Sequence, residues 1–334
     1  MRILIVKLSS LGDVIQTLPI LHDLSQAVPQ VRVDWVVEEA FASLLQSLPG
    51  LHRVLVYGQR RWRKQPFDAA VRAERRAFFE QLRQQPYDVV IDAQGLIKSA
   101  WVARRARLGP AGFTVTFGNR SELCSYEWPV RLMLERSVPM PWQVHAVQRT
   151  RLLAAGALSY EQAAFMAQPP VYPFGPLAPE AQRSGVWLSH GTTRADNQWP
   201  RSHWLVLARR LIEAGESVLI PQASAAEETW AHSLAEELGP QAQVLPRLPL
   251  GALWPRMADA RGVVSVDSGL GHLAVALDLP VVQLFSQDRI RRAGPIGRAY
   301  QVAIGGDHVP DVDEAWQAWQ RCLSAASPAR QSAS

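Results

Sequence analysis

Cysteine is nearly absent from this 334-residue chain: Cys124 and Cys322 are the only two, far apart and without paired spacing. That excludes a disulfide framework and a cysteine-based zinc site. Long apolar runs are also missing, and none approaches the ~20 residues needed to span a bilayer. Lysine is scarce. Of the 35 basic residues only Lys7, Lys64 and Lys98 are lysines, all in the first third, and the other 32 are arginines. Two readings stay open for those three ammonium groups: a compact point charge that arginine cannot supply, or codon bias. Met1 to Lys7 lacks an extended apolar core followed by small residues, so it is expected to be a first strand and not a leader, which keeps the protein in the cytoplasm.

What is present describes a folded globular protein: hydrophobic residues make up 48% and charged residues 19%. The length fits two domains of roughly 150 residues each. A net charge of +5 asks for an acidic partner, whether nucleic acid, an anionic lipid surface or a phosphorylated substrate. Apolar β-rich runs alternate with amphipathic stretches: Ile3 to Val6, then Val14 to Leu24; Val31 to Val37, then Phe41 to Leu48; Arg53 to Val56; Val89 to Ile91, then Leu96 to Arg107. This βαβ rhythm implies a mostly parallel sheet covered on both faces. It restarts at Val186 to Leu188 and runs through strands at Ser217 to Ile220, Gln243 to Val244 and Val263 to Val266, with helices between them. Proline-rich Gln168 to Pro179 separates the two rhythms and can sustain neither regular element. The expected layout is α/β, with domains at 1–168 and 180–326, a linker at 169–179 and a frayed tail at 327–334. Two doubly wound halves make a cleft, and ligands bind beyond the carboxyl ends of such strands.

Val264-Ser265-Val266-Asp267-Ser268-Gly269-Leu270-Gly271-His272 is the most informative stretch. A strand of buried type ends in a turn of small residues, and Leu270, Leu273, Ala274 and Leu277 then recur at helical spacing. Such a turn aims free backbone N–H groups, at the positive end of a helix, toward an anion such as a diphosphate. The alternative is an ordinary βα connection in which Asp267 or Ser268 caps the helix and His272 packs. Near the start, Lys7-Leu8-Ser9-Ser10-Leu11-Gly12-Asp13 joins a strand to a helix but matches neither G-x-G-x-x-G nor a Walker P-loop. Asp13 is either a helix-dipole partner or a general base for an acceptor hydroxyl. Gln59-Arg60-Arg61-Trp62-Arg63-Lys64 reads as a nucleic-acid patch, a solvated face, or a flexible basic loop that grips phosphates and carboxylates. The nucleic-acid reading is the weakest, because aromatic interleaving stops at Trp62. Gln94 and Lys98 follow another strand's carboxyl end.

The blocks Lys7 to Val14, Asp34 to Glu39, Arg60 to Lys64, Ile91 to Leu96 and His145 to Arg151 together resemble the family 9 glycosyltransferases, and within them the type I lipopolysaccharide heptosyltransferases. The likeness runs from residue 1 to about 300. It implies a GT-B fold, two Rossmann-like domains facing a central cleft, the first binding acceptor and the second binding nucleotide sugar. It also implies metal-independent, inverting transfer of L-glycero-D-manno-heptose from ADP-heptose to the inner Kdo of Kdo2-lipid A, with ADP as product and no cofactor. By this resemblance Asp13 is the base. The acceptor side takes Lys7, Ser9, Ser10, Gln94, Lys98 and Arg120, with Arg60, Arg61, Arg63 and Lys64 from the basic segment. The donor side takes Thr192, Thr193, Asn197, Glu227 and Leu248, with Asp267, Ser268, Gly269 and His272 as the diphosphate turn. A monomer on the anionic cytoplasmic face of the inner membrane, with no nucleic-acid partner, is expected.

One departure stands out: the family usually has lysine at the position of Asn197. Arg194, or the run Arg289, Arg291 and Arg292, is expected to supply the missing charge. Otherwise the chain uses another donor or acceptor, protein included, or is a weakly active nucleotide-sugar-binding paralogue.

Overall fold

The computed structural model describes residues 1–161, 166–175, 179 and 182–329. The chain divides into two compact units, Met1–Pro173 and Phe174–Ser334, so the division falls inside the proline-rich segment. Residues 176–178 of the expected linker and 330–334 of the expected tail lie outside the described residues.

Unbroken apolar runs suit strands buried on both faces of a parallel sheet, and in the first unit they form its centre. Strands β1 (Arg2–Val6), β2 (Arg32–Glu38), β3 (Arg53–Tyr57), β4 (Tyr87–Asp92), β5 (Leu108–Phe117) and β6 (Arg136–Val138) lie in the order β3-β2-β1-β4-β5-β6. Every neighbouring pair is parallel. Helices α1 (Leu11–Thr17), α2 (Pro19–Ala27), α3 (Glu39–Gln46), α4 (Gln59–Lys64), α5 (Ala69–Arg83), α6 (Ile97–Ala103), α7 (Val130–Met133) and α8 (Ala146–Leu158) connect them. One core packs Leu4, Val6, Val36 and Val90 of the sheet with Phe78 and Leu82 of α5. Arg151 of α8 donates to both carboxylate oxygens of Asp23 in α2, at 2.7 and 3.1 Å, and both side chains are buried. Losing one partner of such a pair strands a buried charge, at a cost of about 3–5 kcal/mol.

The second unit repeats the plan. Strands β7 (Val186–Ser189), β8 (Val218–Ile220), β9 (Ala242–Val244), β10 (Gly262–Val266), β11 (Val281–Phe285) and β12 (Gln301–Gly305) lie in the order β12-β11-β10-β7-β8-β9, all parallel. Its helices are α9 (Arg201–Glu213), α10 (Ala225–Leu238), α11 (Leu250–Ala258), α12 (Gly269–Ala276), α13 (Ile290–Ala293) and α14 (Val312–Ala329). Trp204, Leu207 and Leu211 of α9 and Trp319 of α14 meet Val186, Leu188, Val264 and Val282 in a second core. Each sheet is therefore the doubly wound 3-2-1-4-5-6 arrangement. Its strand order reverses between β1 and β4 in one unit and between β7 and β10 in the other, and ligands of such sheets bind beyond the carboxyl ends at that reversal.

Several expectations need correction. The single helix foreseen from Val14 to Leu24 is two, because Pro19 has no N–H to continue α1 and instead occupies the first turn of α2. The helix foreseen from Leu96 to Arg107 stops at Ala103. The segment 59–64 is helix α4 and not a flexible loop: Trp62 is buried edge-on against Tyr57 and near Phe78, with ring centroids 5.2 and 5.7 Å away. At the other end, α14 runs to Ala329, three residues into the expected tail.

Candidate active site

At the first reversal, the loops after β1 and β4 are stapled together. Gln94 is buried, and its side-chain oxygen accepts from the backbone N–H of Leu8 at 2.9 Å and of Ser9 at 3.2 Å. Its carbonyl oxygen is thereby committed to the chain. Beneath it, fully buried Asp92 accepts from the backbone of Gln94 and Gly95 and from Thr116 Oγ1. Burial pushes the Asp92 carboxyl upward against those hydrogen bonds. Lys7, also buried, donates from Nζ to the Ala93 carbonyl at 3.1 Å, and Lys98 Nζ donates to Ser9 Oγ at 3.2 Å.

Asp13 sits in the first turn of α1, half-buried, and its Oδ2 accepts from Ser10 N at 3.2 Å and Ser10 Oγ at 2.8 Å. The helix cap thus holds the carboxylate in place, with Oδ2 committed to exposed Ser10. Lys98, which donates to Ser9, also lines a 660 Å³ cavity with Glu38, Tyr57, Arg60, Arg63 and Trp101 among others. Glu38, at the end of β2, was given no role by sequence reasoning. Its side chain is 4% exposed and meets Arg60 Nε at 2.8 Å and Lys98 Nζ at 3.6 Å, whereas Arg60 itself is 71% exposed. A buried carboxylate thus aims two cations into the cavity. The signal available was an acidic residue closing a buried apolar strand. Arg61 is turned elsewhere, onto Glu39 at 3.2 Å and Glu74 at 2.5 Å. Lys64 and Arg120 are exposed and do not line the cavity.

Strong electrostatics alone does not mark a site. Asp34 accepts from Arg53, Tyr87 and, at 2.9 Å, meets His52. Burial opposes its ionisation, yet these hydrogen bonds hold the carboxyl below its usual range. This network lies at the amino ends of β2, β3 and β4, the edge opposite Asp13, and is structural.

At the second reversal, Asp267 follows β10 and Ser268 caps α12, its Oγ accepting from Gly271 N at 3.3 Å. The capping reading therefore holds for Ser268, and a carboxylate stands beside the helix N-terminus that Gly269 begins. His272 Nε2 lies 3.5 Å from Asp267 Oδ1, Arg289 Nε lies 3.6 Å from Oδ2, and Asn197 Nδ2 donates to Oδ2 at 3.2 Å. Burial raises the Asp267 carboxyl, but His272 and the charges of Arg289 and Arg292 outweigh it and hold the group below its usual range. Of the proposed substitutes for a lysine at 197, Arg289 reaches this cluster, whereas the Arg194 guanidinium is bound to Asp196 at 3.0 and 2.5 Å.

Thr192 Oγ1 lies 3.5 Å from the Asp267 carbonyl, and Thr193 is exposed on the same loop. Glu227 accepts from Ala223 N at 2.9 Å at the start of α10. A Cβ on Gly191 would stand 3.0 Å from that carboxylate, so glycine permits the approach. Leu248 is half-buried in the loop before α11. Sequence reasoning passed over His190, which stacks on Trp230 at 3.8 Å and is pushed down to about 4 by burial, hence neutral at neutral pH. Among the described residues no cluster of three or more His, Cys, Asp or Glu could hold a metal ion.

Residues 75–315 match the sequence pattern of glycosyltransferase family 9 (heptosyltransferase). The chain belongs to this family. As a family 9 glycosyltransferase it is an enzyme, and its two doubly wound units are the GT-B architecture. It is 42% identical over 312 residues to lipopolysaccharide heptosyltransferase 1 of Pseudomonas aeruginosa, which covers 92% of this chain and 84% of that protein. The corresponding Escherichia coli K12 protein is 40% identical over 287 residues, 85% of this chain and 88% of its own length. Among solved structures, E. coli heptosyltransferase WaaC with ADP superposes with a TM-score of 0.82 at 35% identity, covering 96% of this chain and all of that one (100%). WaaC with ADP-2-deoxy-2-fluoro heptose gives a TM-score of 0.76, covering 95% and 98%.

Proposed function

We propose that this family 9 glycosyltransferase transfers L-glycero-D-manno-heptose, with inversion, from ADP-heptose to the inner Kdo of Kdo2-lipid A at the cytoplasmic face of the inner membrane. The observation that carries the reading is the pairing, in one unit, of a capped, half-buried carboxylate with a cavity whose cations are aimed by a buried acid. Kdo carries a carboxylate and lipid A carries phosphates, which arginine and lysine bind through charge-assisted hydrogen bonds. Asp13 takes the proton of the acceptor hydroxyl as that oxygen forms its bond to the anomeric carbon. The bond from that carbon to the diphosphate breaks, and its electron pair leaves with ADP. Backbone N–H groups at the start of α12, with Arg289 beside Asp267, offset the charge that develops there.

The test uses ADP release on mixing ADP-heptose with Kdo2-lipid A. Asp13→Asn keeps an acceptor oxygen for the helix cap but cannot take a proton. It is expected to lose about 10²–10⁴-fold in kcat, with donor affinity within a few-fold of the parent. Unchanged kcat removes Asp13 as base. A second reading, a relative that uses another donor sugar, is favoured by one observation: Asn197 spends its amide on Asp267 and brings no charge to a diphosphate. A faster reaction with another nucleotide sugar would select it.

A further inference from the structure

Parallel strands send all their exit segments to one edge. In the first unit the segments leaving β3, β4, β5 and β6 gather on the edge that carries Asp13 and Lys98. Six large apolar side chains stand exposed there: Phe67 (86%), Ile97 (45%), Leu123 (44%), Trp128 (65%), Leu132 (72%) and Trp142 (56%). Isolated exposed apolar residues are ordinary, but a concentration on one rim is not. Among the described residues the second unit exposes only Val206 and Val309 of this class.

The six are linked. Trp128 lies just before α7 and Leu132 within it, so one short segment carries both. The backbone N–H of Glu122 donates to the Trp142 carbonyl at 2.7 Å, which sets the Trp142 segment beside Leu123. Glu127, next to Trp128, accepts from the Ile97 N–H at 2.6 Å, and Ile97 and Glu127 both line the 660 Å³ cavity. The apolar rim is therefore continuous with the cavity mouth.

Charge separates the two units in the same sense. Residues 1–173 carry 21 basic and 14 acidic residues, a formal +7, and residues 174–334 carry 14 and 16, a formal −2. Arg60, Arg63, Arg120 and Arg131 are exposed on the rim itself.

We infer that this rim docks the first unit onto an anionic lipid bilayer, Trp128, Leu132 and Trp142 entering the headgroup region while the arginines pair with lipid phosphates. Tryptophan and leucine flanked by arginine suit that boundary: amphipathic rings and alkyl chains take the acyl edge, and guanidinium groups take the phosphate layer. The inference deepens the proposed function, because the membrane met by the rim is the one that would present the acceptor to the adjoining cavity.

The experiment is co-sedimentation of the full chain with phosphatidylethanolamine–phosphatidylglycerol vesicles and with phosphatidylcholine vesicles. Alongside it, ADP release is measured with a water-soluble deacylated Kdo2-lipid A and with the acylated acceptor in vesicles. The parent is expected to bind the anionic vesicles and to release them as salt rises. The triple variant Trp128→Ser/Leu132→Ser/Trp142→Ser is expected to bind about tenfold or more weakly, to keep kcat/KM on the soluble acceptor, and to lose it on the vesicle-borne one. All three side chains are exposed, so the fold does not depend on them. Equal binding of variant and parent, no preference of the parent for anionic vesicles, or an equal loss on the soluble acceptor each overturns the inference. Absence of ADP release by the parent on either acceptor would instead sink the proposed reaction and leave vesicle binding as an independent result.

Discussion

Asn197 stands where the resemblance leads one to expect lysine, and its surroundings define what that difference means. The side chain is buried, and its amide contacts a carboxylate that Arg289 and His272 already flank. An ammonium at this position would reach Asp267 and the turn proposed to meet the diphosphate, adding a charge where the departing group would gather its own. Asn197→Lys is accordingly expected to raise kcat with ADP-heptose several-fold, measured by ADP release, and to lessen the loss caused by Arg289→Gln. No rise in kcat would mean that Arg289 already supplies the charge. The contributors at this scale differed in legibility. The turn at Asp267 was visible as small residues closing an apolar strand, and Arg289 as part of an unusual basic run. Glu38 was not, because nothing in a one-dimensional pattern says that a carboxylate at a strand end will be buried beneath two cations.

Elements were legible in proportion to how continuous their apolar pattern was. Strands β1, β2, β4 and β10 are mainly apolar and stand within two residues of the bounds their pattern predicts. β5 contains Gly109, Pro110 and Gly112, and its pairing with β4 shifts register between Tyr87 and Val89; those residues hide a strand, since proline and glycine ordinarily end one. Four basic residues in six make α4 look like a loop, and only the burial of Trp62 against Tyr57 makes it a helix. α12 shows how closely an element can depend on one residue. A Cβ on Gly271 would come within 2.7 Å of Ser265 Oγ and 2.9 Å of Gln283 Nε2. Both belong to side chains of zero exposure (0%), paired in register across β10 and β11. The sheet cannot yield, so the helix must lift. Gly271→Ala is expected to cost about 1–3 kcal/mol by overpacking, seen as a lower Tm. Donor KM is expected to rise more than kcat falls, because the Ser268 turn moves with the helix. An unchanged Tm would mean that α12 rides higher over the sheet than the structure has it.

At the scale of the whole molecule, the two units are complete in themselves. Each closes a six-stranded sheet of the same order from its own residues, and each has its own core. The division of labour follows that partition: Asp13, the cavity and the apolar rim belong to residues 1–173, and the Asp267 turn, Asn197, Arg289 and Glu227 belong to residues 174–334. A unit of this size buries enough surface to fold alone, and the second unit's formal charge of −2 means that any affinity it has for an anion must come from the local arrangement at α12 and not from long-range attraction. Residues 174–334 expressed alone are therefore expected to unfold in one cooperative transition and to bind ADP within about tenfold of the full chain by calorimetry, a difference of about 1.4 kcal/mol at most. Residues 1–173 are expected to show no ADP binding despite their greater positive charge. ADP bound by the first unit instead would move the donor site to the other sheet and dissolve the roles given to Asp267 and Arg289.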